Sequence, residues 1–150
     1  MQINLDTRPE AYSIHSYGDH YIVVNSPTTL SEDNNDKRVP QSEQTIPKNS
    51  KNTIKLTASA IITPEKLISD WRPQSMKELT EDDLEVLSDL QPELVILGTG
   101  KQIIFPDQSY TLPLMRQGIG VEVMNTAAAC RTYNFLMADG RQVLAALFMA

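Results

Sequence analysis

The chain is poor in the residues from which most catalytic and metal centres are built. It has one cysteine, Cys130, and two histidines, His15 and His20. A single cysteine rules out an intrachain disulfide and a thiol-rich metal site, and two histidines without local ligand spacing supply no metal centre. Nothing in the sequence calls for a cofactor. Basic residues are also scarce, with 13 Lys and Arg against 19 Asp and Glu and a formal net charge of -6. Phosphate backbones are held by clustered Lys and Arg. No such cluster is present, which argues against nucleic acid and anionic membrane surfaces as partners. No stretch approaches the ~20 consecutive apolar residues of a transmembrane helix. The opening residues, MQINLDTRPE, lack the basic start and apolar run of a signal peptide. The expectation is a cytoplasmic protein without membrane insertion.

What is present has the balance of a globular chain: 41% hydrophobic and 21% charged over 150 residues, enough for one core and read as a single domain, 1–150. The charge is uneven. From position 91 onward Lys101, Arg116, Arg131 and Arg141 balance Glu93, Asp107, Glu122 and Asp139, so all the excess negative charge lies earlier, much of it in 78–89. An acidic, solvated helix face accounts for that run.

Residues 12–24 read as a hairpin, with Tyr12 and Ile14 alternating with polar neighbours, Gly18-Asp19 as turn chemistry, and Tyr21 to Val24 as β-rich sequence. A polar stretch over about 26–53 has no aromatic residue and no glycine, and reads as a long mobile insertion. Ile54, Leu56, Ala58 and Ala60 then alternate into Ile61-Ile62, predicting one strand that ends at Thr63-Pro64. Thr80 with Asp83 forms a capping-box pattern, and Leu79 with Leu84 a hydrophobic staple, for a helix carrying Leu84, Leu87 and Leu90 to Pro92.

Residues 93–148 predict a β-α-β-α-β unit. Leu94 to Leu97 is a continuously apolar run of the kind covered on both faces. A short helix near 111–117 carries Leu112 and Met115 and stops at Gly118; Pro113 fits it only if the helix begins late. Residues 121–124 form the second strand, Thr126 caps a longer helix ending before Gly140, and 142–147 form the third strand. Crossover helices of this length give parallel pairing. The N-terminal strands, joined by tight turns, are expected to add antiparallel edges to the same sheet, which is therefore mixed. The fold class is α/β, built on that mixed sheet.

In an open parallel sheet, ligands gather at the carboxyl ends of the strands. Those ends carry Gly98-Thr99-Gly100 and Asn125-Thr126, followed by a helix N-terminus. One reading is a small anion or polar-ligand site; the plainer one is a tight glycine turn and a helix cap. A dinucleotide loop is excluded, because the third glycine of G-x-G-x-x-G falls on Ile103, and no Walker lysine is present. Cys130 has Arg131 beside it, yet its spacing with Ala127, Asn134 and Met137 marks a partly buried helix face. Nothing places a histidine near it as a base. Tyr133 and Asn134 either brace the strand-end turn, face a partner, or are simply a Tyr packed at the core edge with the Asn exposed. Trp71-Arg72-Pro73 either covers the core or offers an aromatic anchor.

The stretches LVILGTG, QIIFP and GIGVEVMNTAAACRTYNFLMADGR, with TPEKLISDWRP before them, resemble a family of small domains of unknown biochemical function. Its relatives include mitochondrial complex I assembly factor three and the adipogenesis-associated domain protein. The resemblance covers most of the chain from Ile54 onward. It implies a three-layer α/β fold on a mixed sheet, no established catalytic residue or cofactor, and a role in protein–protein binding. The family's recurrent positions fall on Gly98, Thr99, Gly100, Gly120, Thr126, Ala129, Tyr133, Asn134 and Gly140. Asn125 stands where many bacterial relatives carry an acid, and the 26–53 segment looks like an insertion.

The expectation is a bacterial-type, non-enzymatic interaction or assembly-factor-like module with an unidentified protein partner. Its binding surface would draw on Gly98, Thr99, Gly100, Asn125, Thr126, Ala129, Tyr133 and Asn134. The rival is a small polar-ligand binder or unrecognised enzyme using the cleft between Gly98–Gly100 and Asn125-Thr126. Convergence of Thr99, Asn125, Thr126 and Tyr133 on a deep polar pocket would favour the rival; a filled turn with an apolar patch elsewhere would favour the module.

Overall fold

The alternation of Ile14, Ile22, Val24 and Leu56 explains the first layer of the computed structural model, which describes residues 8–27 and 52–150. Strands β1 (Ser13–Gly18), β2 (Tyr21–Asn25) and β3 (Thr53–Leu56) form an antiparallel sheet in that order, and those four side chains make its buried face. Asp19 and His20 make the β1–β2 turn, with His20 at φ 61°, in the left-handed region. Most of the polar segment expected to be mobile, residues 28–51, lies outside the described residues.

The alternating run from Ile54 is not one strand. It divides into β3 and β4 (Ala60–Ile62), which belong to different sheets. The break is pinned at Ser59, whose hydroxyl donates to the Trp71 carbonyl at 3.0 Å and also to that of Pro73, while the Trp71 amide donates back to Ser59 O at 3.1 Å. Trp71 itself covers the core, stacked on Phe148 at 5.1 Å between ring centroids.

The second sheet is mixed. Strands β5 (Leu67–Ile68), β6 (Leu94–Gly98), β7 (Gly120–Met124) and β8 (Val143–Leu147) join β4 in the order β5-β4-β8-β6-β7. β6 runs parallel to β7 and β8, and β4 runs antiparallel to β8 and β5. Apolar runs in β6 and β8 follow from coverage on both faces. Ile96, Val143, Ala145 and Leu147 face one core cluster, and Val95, Leu97, Leu144 and Ala146 the other. The first cluster lies under helix α3 (Thr126–Ala138) and the β1–β3 sheet; the second lies under α1 (Glu81–Glu85) and α2 (Gln108–Arg116). Helices on both faces of a mixed sheet give the three-layer α/β arrangement. The first three strands are not edges of that sheet but a sheet of their own beside α3, because Ile14, Ile22, Val24 and Leu56 bury against the helix face.

The helices refine the expected boundaries. Thr80 and Asp83 form the capping box, and Arg72 Nε reaches the Asp83 carboxylate at 2.9 Å. The helix then tightens into a 3₁₀ turn, Val86–Leu90, and ends at left-handed Gln91 ahead of Pro92. Helix α2 begins earlier than the position of Pro113 suggests, because the Asp107 carboxylate accepts the Ser109 amide at 2.9 Å and caps it there. Pro113 therefore lies inside the helix. The resulting phase turns Leu114 into the core and leaves Leu112 and Met115 exposed. Gly118 (φ 78°) closes α2 in a Schellman arrangement, with Gly118 N–H on Met115 O and Ile119 N–H on Leu114 O. Gly140 does the same for α3.

Candidate functional site

The strand-end turn is built around one hydroxyl. Helix α3 is capped by Asn125, not Thr126: Asn125 has extended backbone, and its side-chain oxygen accepts the Ala128 amide at 2.8 Å. Thr126 is thereby the first helical residue, and its hydroxyl is free for another task. It accepts the Gly100 amide at 2.8 Å and donates to the Phe148 carbonyl at 2.6 Å, while its own amide donates to Gly100 O at 2.9 Å. The segments following β6 and β8 are thus tied to the start of the helix that follows β7. Thr126 is buried, as expected of a hydroxyl with both roles met inside the protein.

Close packing explains the glycines. A Cβ on Gly98 would lie 2.8 Å from Leu147 Cδ2 and 3.0 Å from Ala129 Cβ, and Gly100 has φ 97°. Thr99 is also turned inward. Its hydroxyl donates to Gln102 O at 2.5 Å and accepts the Ile104 amide at 3.0 Å, shaping the loop that follows.

A cleft of about 270 Å³ lies outside this turn, lined by Tyr17, Asp19, Tyr21, Lys101 and Asn125 among others. Its far wall is the β1–β2 turn. Tyr17 Oη accepts a hydrogen bond from Arg131 at 2.7 Å. Of the three amides in the first turn of α3, two are taken, Thr126 N–H by Gly100 O and Ala128 N–H by Asn125. That leaves the helix end little to offer an anion.

The remaining sequence-predicted residues lie along α3. Ala129 and Tyr133 are fully buried on the inner side of α3. Tyr133 Oη donates to Tyr12 O at 2.8 Å, and Asn134 engages both polar groups of Ile14, accepting its amide at 2.8 Å and donating to its carbonyl at 2.7 Å. The carboxamide acts as a strand partner where β1 is irregular, between Ile14 and Ser16. The structure therefore groups Gly98, Thr99, Gly100, Asn125 and Thr126 at the strand ends, with Ala129 packed against Gly98 there, and sets Tyr133 and Asn134 along the seam between α3 and the hairpin. Tyr133 does not converge with the two threonines.

The chemistry available near these residues is limited. Cys130 is fully buried, and burial pushes its thiol up to about 12, against a smaller opposing effect of Arg131. Such a thiol is no nucleophile at neutral pH. Burial likewise raises the Tyr133 phenol, followed by the charge of Glu65. Among the described residues no group of three or more His, Cys, Asp or Glu is placed to hold a metal ion.

The surface feature that sequence reading missed lies beyond the turn. Ile103, Ile104 and Phe105 follow it in a loop with their side chains in solvent, and Leu112 and Met115 of α2 are exposed too. Phe105 is 74% exposed and Met115 55%. The signal was in the sequence: three successive apolar residues in a loop between a glycine turn and Pro106, ahead of an aspartate able to cap a helix.

Residues 45–148 match the model of a protein family described as "Protein of unknown function (DUF498/DUF598)". The human NADH dehydrogenase [ubiquinone] 1 alpha subcomplex assembly factor 3 is 42% identical over 83 residues, which cover 53% of this chain and 45% of that protein. The chain spans about half the length of the assembly-factor relatives it matches. A 13 kDa major membrane protein of Francisella tularensis is 25% identical over 88 residues, covering 59% of this chain and 68% of that one. A crystal structure of a protein from Bordetella parapertussis superposes with TM-score 0.69 at 29% identity, over 92% of this chain and 95% of that one. Among the described residues no helix is long and apolar enough to cross a membrane.

Proposed function

The chain belongs to the DUF498/DUF598 family of proteins of unknown function, and from that premise we propose that it is a non-enzymatic protein-interaction module of the assembly-factor kind, acting as one domain. One observation carries the reading: the strand-end turn is filled by its own hydrogen bonds, while Ile103, Phe105 and Met115 are left in solvent nearby. Phe105 and Met115 line one groove, and apolar side chains exposed together mark binding surfaces, with a large aromatic among them a favoured anchor. Relatives named as assembly factors support the same class of activity.

The test is capture from native extract with the wild-type chain and with a Phe105→Ser, Met115→Ser double variant. Both side chains are exposed, so the variant should unfold at the wild-type denaturant midpoint. A partner retained by the wild type and lost by the variant is the expected result. Equal retention, or no partner at all, would overturn the reading. A cytoplasmic location belongs to the same proposal. Cell fractionation checks it, since the Francisella relative is named a membrane protein.

The cleft beside Asn125 favours a second reading, a small polar-ligand binder, because Asp19 and Lys101 place opposite charges on its walls. A melting-temperature screen of small polar metabolites distinguishes the two. A reproducible shift abolished by Asp19→Asn, with no protein captured, would move the function to the cleft.

A further inference from the structure

The central sheet stops at β7, which has β6 as its only strand neighbour among the described residues. In this parallel pair Gly120 N–H donates to Glu93 O, and Met124 O accepts the Thr99 amide, so Gly120, Glu122 and Met124 direct their backbone groups at β6. By the two-residue period of a strand, Val121 and Val123 direct theirs outward. An edge of this kind is a template for another strand unless it is blunted by proline, lysine, a bulge or a covering element. β7, with the sequence GVEVM, contains neither proline nor lysine.

A groove of about 390 Å³ runs along this edge, with Phe105, Pro106 and Met115 on one side and Val121 to Val123 on the other. Val121 and Val123 pack towards the α1–α2 side of the sheet, the side on which Phe105 and Met115 stand out of the surface. Glu122 is exposed and, among the described residues, is the only charged one lining the groove. A strand laid along β7 would thus meet apolar surface on its α2-facing residues and a carboxylate on the residue between them.

We infer that β7 accepts an extended segment of a partner protein as a sixth strand, and that the segment reads apolar–basic–apolar, with its Lys or Arg opposite Glu122. The inference rests on the interaction-module reading and specifies how the partner is held. Backbone bonds to Val121 and Val123 give the grip, and alternate side chains give the specificity. Charge decides between this occupant and a second copy of the chain. The antiparallel self-pairing that uses both outward residues of each copy puts Glu122 directly opposite its counterpart, and like charges facing across a sheet are destabilising. A basic residue turns the same position into an attraction, in keeping with the chain's net charge of -6.

The probe is a displayed library of linear heptapeptides selected on the full chain, with Glu122→Lys as a parallel target. Apolar–basic–apolar alternation should be enriched on the wild type and apolar–acidic–apolar on Glu122→Lys. A selected peptide should slow amide exchange at Val121 and Val123 and bind the charge-swapped target at least about ten-fold more weakly. Peptides that protect other amides, or that ignore the charge swap, would overturn the inference. So would slow exchange at Val121 and Val123 in the free chain, whether growing with protein concentration (a second copy) or independent of it (cover from the chain itself). Val123→Pro, which deletes one outward amide, separates the two levels. A native partner still captured by a folded Val123→Pro leaves the module reading standing and removes the edge-strand mode, whereas no partner on the wild type removes the module reading itself.

Discussion

Replacing Thr126 by valine removes one oxygen and adds no volume elsewhere, yet it should be among the more damaging single changes in the chain. The lost hydroxyl serves Gly100 N–H at 2.8 Å and Phe148 O at 2.6 Å, at a residue only 2% exposed. Water cannot readily replace it. Leaving a buried donor or acceptor unpaired costs about 1–3 kcal/mol per group, so the two together come to about 2–6 kcal/mol. The valine methyl adds to this. It would occupy the place of an oxygen held at hydrogen-bond distance, while carbon contacts settle near ~3.5–4 Å, so the turn must also open. For a domain of this size such a loss lowers the melting temperature by about 4–24 °C. Thr126→Ser keeps the hydroxyl and deletes a buried methyl, for about 1 kcal/mol. The assays are denaturant unfolding at constant slope and amide exchange at Gly100, which should accelerate in the valine variant and hold in the serine variant. A valine variant within about 0.5 kcal/mol of wild type, or a serine variant as damaged as the valine one, would refute the claim that the hydroxyl is committed to structure.

Two further outcomes follow from the titratable groups. Asp83 is held below its ordinary value of 3.8 first by its hydrogen bonds from Arg72 and then by those of the Thr80 cap. Its contribution is therefore complete above that value and disappears as the pH falls through the lower folded one; Asp83→Ala should cost about 1 kcal/mol at neutral pH and flatten the urea midpoint's decline below pH 4. Cys130, with its thiol pushed up to about 12, is ionised in only about one molecule in ten thousand at pH 8, so its alkylation should track global unfolding in urea; fast labelling of the native protein would contradict the burial.

How much of this was legible in the sequence depended on whether a pattern has one structural meaning. The apolar run in β6 and the Gly118 and Gly140 stops do, because only a strand covered twice and a left-handed helix end satisfy them. The alternation through Ala58 does not. Period two describes two short strands as well as one long strand, and the deciding contact, Ser59 on Trp71 and Pro73, spans more than ten positions of sequence. Likewise Thr126 and Asn125 are both good caps by residue type. The choice fell to Asn125 because the threonine hydroxyl was drawn to Gly100 and Phe148, groups brought to it only by the completed sheet.

The same reasoning bears on where a binding surface shows itself. Tyr133 and Asn134 resembled site residues because a tyrosine and an amide are costly to place without a purpose, and the purpose proved to be holding Tyr12 and Ile14 of the first hairpin. Residues that bond internally are recognisable in sequence by their chemistry; residues kept for a partner are recognisable only by not being used. Under the proposed function, Phe105 and Met115 are of the second kind, exposed rather than packed into the core. By composition they are core residues, and only the phase set by the Asp107 cap, with a loop of Ile103 and Ile104 already turned outward, leaves them exposed beside the outer edge of β7. An apolar side chain in water gains nothing for the free chain, so the reason for its place is to be sought at the β7 edge, where a second chain would cover it.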